Sequence, residues 1–235
     1  MQKKKNKKGY IIAIDGPAGA GKSTVSRMLA EELKGMLLDT GAMYRSVAYF
    51  GLKEGAKTED DFAHTARSLK FDPSHDRAHL LVNGEDLGLK LRTPKVSSLA
   101  SSVSRYKTVR DTLTRRQRAL GRSWSKKFPV VLEGRDIGTV VFPKADYKFY
   151  VTADPKIRAM RRFKQLQKAG AKTKLSDILK QNQERDEQDS NRKHAPLRCA
   201  VDAVVVDTSR MGIVQVVKFM AEHIRAHETL TNIQG

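Results

Sequence analysis

The chain has 235 residues, a formal net charge of +19, 39% hydrophobic and 30% charged residues, and one cysteine, Cys199. That length suits one medium domain with insertions; no apolar run reaches membrane-spanning length, and no apolar segment follows the basic N-terminus as a secretory signal requires. A single cysteine forms no internal disulfide, so a reducing, cytoplasmic setting is expected, with no membrane partner.

Residues 1–9 read as a disordered basic tail, since Met1–Lys8 carries five lysines and no acid. Tyr10–Ile14 is a short apolar, β-branched run and predicts a buried strand. Gly16-Pro17-Ala18-Gly19-Ala20-Gly21-Lys22-Ser23-Thr24 follows, in the pattern G-x-x-x-x-G-K-S. Val25–Leu33 then has apolar residues at helical spacing. Strand, glycine loop and helix are the context a phosphate-binding P-loop needs. The glycines let several backbone N–H groups point at one phosphate, and the helix N-terminus adds partial positive charge. Lys22 then reaches the β- and γ-phosphates, and the Ser23 hydroxyl ligates Mg²⁺.

Met36–Asp39 reads as a second buried strand, and Thr40 opens a helix to about Gly51. Residues 58–70 read as a helix capped at Thr58. His79–Val82, the turn Asn83-Gly84 and Glu85–Leu87 predict a hairpin that interrupts the strand–helix alternation as an insertion. Helix returns from Pro94 to Val103, and a long helix spans residues 106–124. On that helix Arg110, Arg118 and Arg122 form a stripe beside the apolar Val109, Leu113, Leu120 and Trp124. Strands are predicted at Pro129–Leu132, Tyr147–Val151 and Ala203–Asp207, with a last helix from Met211 to His227. The expected fold is α/β: a five-stranded parallel sheet with helices on both faces.

The positive charge is concentrated. Residues 105–127 hold nine basic residues against Asp111 alone, and residues 156–174 hold eight basic residues and no acid. Polyanionic partners are implied, either nucleotides or nucleic acid. Aromatics do not interleave with these segments, which disfavours nucleic acid. Arg158, Arg161 and Arg162 share one helix face at i, i+3, i+4, with Ile157, Met160 and Phe163 free to pack elsewhere. Like charges at that spacing repel, and a triphosphate would offset them. Arg185, Asp189 and Arg192 share another face, behind a hinge at Lys168-Ala169-Gly170-Ala171-Lys172. Asn-Lys-x-Asp and Asp-x-x-Gly motifs are missing from the sequence, which argues against a GTPase switch. Another P-loop kinase with a different acceptor remains the nearer alternative. His223 and His227 lie four apart with no third ligand nearby and read as surface residues.

The sequence resembles the bacterial cytidylate kinases, which are nucleoside monophosphate kinases. The resemblance rests on the P-loop with Asp15 before it, on Asp39-Thr40-Gly41-Ala42-Met43-Tyr44-Arg45, and on Leu91-Arg92-Thr93. It continues through Arg115-Arg116-Gln117-Arg118, Glu133-Gly134-Arg135-Asp136-Ile137-Gly138-Thr139, and Glu184-Arg185-Asp186 to Arg192. It implies a monophosphate-binding region with an insert at about 40–105, a lid at about 158–192, and a kinase domain over residues 10–235. It implies Mg²⁺ as cofactor, ATP as donor and CMP or dCMP as acceptor; a monomer is expected. Arg45 and Arg135 would hold the acceptor phosphate, and Thr40 and Tyr44 would also bind the substrate. Ser101, Arg110, Asp136 and Arg192 would surround the cytosine, and Arg185 and Asp189 would reach the ribose. Lys22, Arg158, Arg161 and Arg162 would act on the transferring phosphoryl group, and Ser23 with Glu133 would hold Mg²⁺. Glu133 stands where others of the family have aspartate, and Thr40 where some have serine.

Overall fold

The computed structural model describes residues 9–168, 170 and 173–233. The predicted tail, apart from Gly9, and Ala169, Ala171 and Lys172 of the predicted hinge lie outside the described residues. Five strands form one parallel sheet: β1 (Ile11–Asp15), β2 (Met36–Asp39), β5 (Val130–Glu133), β6 (Tyr147–Thr152) and β7 (Val204–Asp207). Their spatial order is β2-β5-β1-β6-β7. The expected fold class is therefore observed.

Alternation along the strands builds two cores, one on each face. Ile12 and Ile14 pack with Val131 and Phe149 against Val25 and Leu29 of α1 (Lys22–Glu32) and Met220 and Ile224 of α8 (Ile213–Ile233). Ile11 and Ala13 face the other way. There Leu38 and Leu132 meet Met43 and Val47 of α2 (Thr40–Glu54), Phe62 of α3 (Glu59–Ser68), and Val109 and Leu113 of α5 (Lys107–Trp124). Thr58 caps α3 in a reciprocal capping box with Asp61. Thr93 caps α4 (Pro94–Val103), whose first residue is proline.

The predicted hairpin is paired differently. β4 (Leu80–Val82) lies antiparallel to β3 (Phe71–Pro73), with Phe71 opposite Val82. Asn83-Gly84 does turn the chain, both at positive φ, but Glu85–Leu87 forms no strand beyond one bridge, Val82 to Glu85. Burial decides the pairing. Phe71, Leu80 and Val82 join the apolar core beside α3, whereas Glu85 and Asp86 are exposed. Asn83 also exchanges hydrogen bonds with the backbone of Lys70, which pins the earlier strand beside it.

α6 (Pro155–Lys168) inverts the expected packing. Ile157 and Met160 are exposed, while Arg158 is buried. α7 (Leu175–Asn191) lies against α6 and carries Arg185 and Asp189 toward the sheet.

Candidate active site

Parallel register brings the polar C-terminal ends of the strands level. Asp39 is opposite Glu133 across β2 and β5, and Ile14 is opposite Glu133 across β1 and β5. Ligands of such sheets bind beyond these ends.

The loop from Gly16 to Gly21 turns β1 into α1. Gly16 has φ 146, and a Cβ there would meet the Val151 carbonyl oxygen at 2.0 Å. Gly21 has φ 89 and caps α1 without a side chain, so the first amides of the helix are left for an anion. Lys22 arches back over the loop, its Nζ donating to the Pro17 carbonyl at 2.7 Å. Burial and the nearby Arg135 hold its pKa well below the ordinary lysine range. Ser23 and Thr24 are exposed at the mouth of the loop.

Each acid at a strand end has a distinct task. Asp15 accepts from the amides of Ile137 and Gly138 at 2.8 and 2.7 Å. It thereby anchors a turn of π-helix at Ile137–Val141, and its burial raises its pKa to about 6 against those two hydrogen bonds. Asp39 caps α2 through Ala42 N and pairs with Arg45 at 2.8 Å. Glu133 is buried; burial and Asp39 push its pKa up to about 7, against Lys22 and a hydrogen bond with Ser23. Its Oε2 has no hydrogen-bond partner. Thr40 lies between the two strand ends, its hydroxyl donating to the Glu133 carbonyl at 2.6 Å.

Cations surround these groups. Arg135 pairs with Asp189 at 2.8 Å. Arg110 pairs with Asp136 at 2.5 Å, and Arg192 approaches Asp136 at 3.4 Å and Asp189 at 3.8 Å. Tyr44 lies beneath Arg110, whose guanidinium is 5.7 Å from the ring centroid, and burial raises the phenol pKa to about 12. Ser101 is half-buried on α4, and its hydroxyl makes no hydrogen bond to the Arg110–Asp136 pair. Arg185 forms no ion pair among the described residues, and burial, then Arg135, lower its pKa to about 10. Nε of Arg45, Nε of Arg185 and Nη2 of Arg192 are buried without a hydrogen-bond partner. Each such donor left unsatisfied costs about 1–3 kcal/mol. An anion placed among them would recover that cost.

The sequence model of the cytidylate kinase family matches residues 12–226 of the chain. The chain belongs to the cytidylate kinase family. It is 41% identical over 229 residues to "Cytidylate kinase" of Geobacter sulfurreducens, covering 96% of this chain and 97% of that one. It is 44% identical over 216 residues to "Cytidylate kinase" of Syntrophotalea carbinolica, covering 90% of each. Among solved structures, an uncharacterized protein from Eubacterium ventriosum has the same fold, with TM-score 0.52 at 12% identity over 92% of this chain and 98% of that one.

In this cytidylate kinase chain the three arginines of α6 go to three places. Arg158 donates to the carbonyls of Ala153 and Ala18, at 3.0 and 2.9 Å, and contacts Asp186. Arg161 donates to the side chain and carbonyl of Thr208, at 2.9 and 2.6 Å. Arg162 donates to Gln165 at 2.8 Å. Spacing put them on one face, but each guanidinium is long enough to find its own acceptor.

Two residues without a role in the sequence reading hold the site together. Asp186 of α7 accepts from the P-loop amide of Ala18 at 3.1 Å while contacting Arg158. Arg118 of α5 donates to the carbonyls of Val140 and Val141 at 2.8 and 2.9 Å, fixing the π-turn from its far end. Asp186 lies one helical turn before Asp189, which was the available signal. Arg118 was on the stripe of α5, but its acceptors are backbone carbonyls that no side-chain pattern reveals.

Among the described residues no three His, Cys, Asp or Glu side chains converge as a metal cluster. The Mg²⁺ of a nucleotide needs only one or two protein ligands, the remainder being phosphate oxygens and waters. Buried Glu133, whose Oε2 has no hydrogen-bond partner, lies beside exposed Ser23 at the loop mouth, and the two fit that requirement.

Proposed function

We propose that the chain transfers the γ-phosphoryl group of ATP to the phosphate of CMP or dCMP, giving ADP and CDP or dCDP. The observation that carries this reading is a second cluster of cations, Arg45, Arg135 and Arg185, in which the buried Nε of Arg45 and of Arg185 has no hydrogen-bond partner. A nucleotide switch or motor needs only the P-loop half. A second cationic pocket is what a second phosphate requires.

The step is an in-line displacement. An oxygen of the acceptor phosphate forms a bond to the γ-phosphorus as the bond to the β–γ bridging oxygen breaks. The nucleophile is already anionic, so no strong general base is needed. Lys22 exchanges the Pro17 carbonyl for donor phosphate oxygens. Arg45 and Arg135 hold the acceptor phosphate, with Thr40 and Tyr44 beside them; Arg158, Arg161 and Arg162 supply charge from α6, the first two by fixing the P-loop and the end of β7. Ser23 and Glu133 would hold Mg²⁺, which neutralises charge on the β- and γ-phosphates. Residues from about 158 to 192 act as a lid over this centre, and residues from about 40 to 105 form the acceptor side.

Base choice follows from donors and acceptors. Cytosine offers acceptors at O2 and N3 and an amino donor. Arg110, Arg192 and Ser101 supply donors, and Asp136 supplies the acceptor. Uracil reverses the polarity at N3 and at the adjacent exocyclic position, leaving buried groups unpaired. Asp189 and Arg185 reach the ribose. ADP formation from ATP and Mg²⁺, measured in parallel with CMP, dCMP, UMP and AMP, tests the reading. CMP and dCMP should be turned over well above UMP and AMP; equal turnover of all four would refute the assignment of Asp136. Chelating Mg²⁺ should abolish turnover with every acceptor.

A further inference from the structure

A second cleft opens at the opposite end of the sheet. Met36, which begins β2, and Phe128, which precedes β5, form its floor, whereas the candidate active site lies at Asp39 and Glu133, where those strands end. Its volume is about 360 Å³, and its other walls include Arg77, Trp124, Lys127 and His75. None of the residues lining it is an acid.

Arg77 is the unusual member. It sits in the left-handed region with φ 61, rarely adopted by a side chain of this size. Its carbonyl accepts from Leu37 N at 3.1 Å, which covers the free edge of β2. Its guanidinium lies 4.1 Å from the centroid of the Phe128 ring yet is exposed. The neighbouring Asp76 forms no ion pair with it; its Oδ1 accepts from Ser74 and Ala78 and lies 3.5 Å from His79. Neither Arg77 nor Lys127 has an ion pair among the described residues.

We propose that this cleft binds one nucleotide unit, remote from the transfer site. The base would stack on the Arg77–Phe128 pair beside Trp124, and the phosphate would meet Lys127 and His75. Guanidinium planes and aromatic rings are the two surfaces on which bases stack, and a carboxylate-free, basic wall selects an anion. The volume is that of a small-ligand pocket. In sequence the basic segments lacked interleaved aromatics. The fold supplies the combination by bringing Arg77 of the β3–β4 connection onto the end of α5. Two sources share this chemistry: a free nucleotide acting as an effector, or one residue of a single-stranded RNA.

Trp124 is the only tryptophan of the chain, so its emission reports on this cleft directly. The full-length enzyme is titrated with AMP and, separately, with a short oligouridylate, at low salt and over a salt series. Saturable quenching is expected in at least one arm, with affinity falling as salt rises. Arg77→Ala should weaken that binding about tenfold while leaving kcat with CMP unchanged. Arg77→Lys, which keeps charge but loses the planar stack, should fall between. Arg77→Gly, whose backbone suits the left-handed conformation, repeats the test in a variant that folds without strain. Quenching by AMP assigns an effector site; quenching by the oligonucleotide alone assigns a strand site. Silence in both arms, or binding unaltered in Arg77→Ala and Arg77→Gly, overturns the proposal. So does a signal lost in the Lys22→Ala, Arg45→Ala double variant, since that signal would belong to the active site.

Discussion

Glu133 meets two opposed demands. Burial and Asp39 favour its neutral form, while Lys22 and Ser23 favour the carboxylate, and the balance lies at about 7. A carboxyl whose folded pKa is raised lends stability below its unfolded pKa and withdraws it as pH rises through the folded value. In the ligand-free protein Glu133 therefore lowers stability between about pH 4.5 and 7, values set by its model and folded pKa. The difference in melting temperature between the native protein and Glu133→Gln should widen in Gln's favour across that window. In the proposed role Glu133 would hold Mg²⁺ as the carboxylate, so apparent Mg²⁺ affinity in the presence of ATP should rise with pH up to about 7 and then level; Glu133→Gln should flatten the profile. Lys22 presents a simpler case. Its ammonium holds only the Pro17 carbonyl, so Lys22→Ala should keep the fold by circular dichroism. Its kcat should drop by about 10²–10³-fold, the scale of losing one charge-stabilising donor.

Between elements, α6 and α7 grip the P-loop through one carboxylate. Asp186 accepts from Ala18 N and contacts Arg158, which itself donates to the Ala18 carbonyl. Asp186→Ala would free both groups and loosen the donor side of the site. KM for ATP should rise about tenfold, the scale of a charge-assisted hydrogen bond, while KM for CMP changes less than threefold. Asp186→Asn, which keeps an acceptor for Ala18 N, should recover part of the loss; equal shifts in both KM values would argue against the grip. At this scale the sequence was legible in period but not always in direction. Helical spacing put Arg158, Arg161 and Arg162 on one face, but their guanidinium groups part to Ala18, Thr208 and Gln165, and the buried face of α6 was read the wrong way round. The partners that decide it, Ala18 and Thr208, lie far away in the chain. The hairpin erred for a related reason: a strong local turn at Asn83-Gly84 outweighed, in sequence, a nonlocal apolar strand at Phe71.

For the molecule as a whole, the βα alternation and the P-loop sufficed to predict a parallel sheet with its polar groups at one end, because strand direction and crossover geometry leave few alternatives. Compensation was not legible. Charge counts gave an excess, whereas the fold spends part of it on Asp136, Asp186 and Asp189 and leaves Arg45 and Arg185 with unpartnered nitrogens. An inorganic polyanion should therefore stabilise the free enzyme. Pyrophosphate at about 100 times its Kd would add about 2.7 kcal/mol and raise Tm by roughly 5–10 °C. The gain should shrink as sodium chloride is added, and a Tm indifferent to pyrophosphate would mean that these nitrogens do not form an anion site.

The anchoring of the π-turn has a consequence for fidelity. Asp15 holds Ile137 and Gly138 through both of its oxygens, and Asp136 is the residue immediately before them. Its pKa of about 6 means that mild acid adds a proton where two amides already donate. The turn would then lose one of its two tethers while the P-loop keeps its own backbone and Lys22. Discrimination between CMP and UMP should thus erode as pH falls through about 6, and faster than ATP affinity does, in rates measured side by side. An acid that touches neither nucleotide would set the acidity at which the enzyme stops telling one pyrimidine from the other.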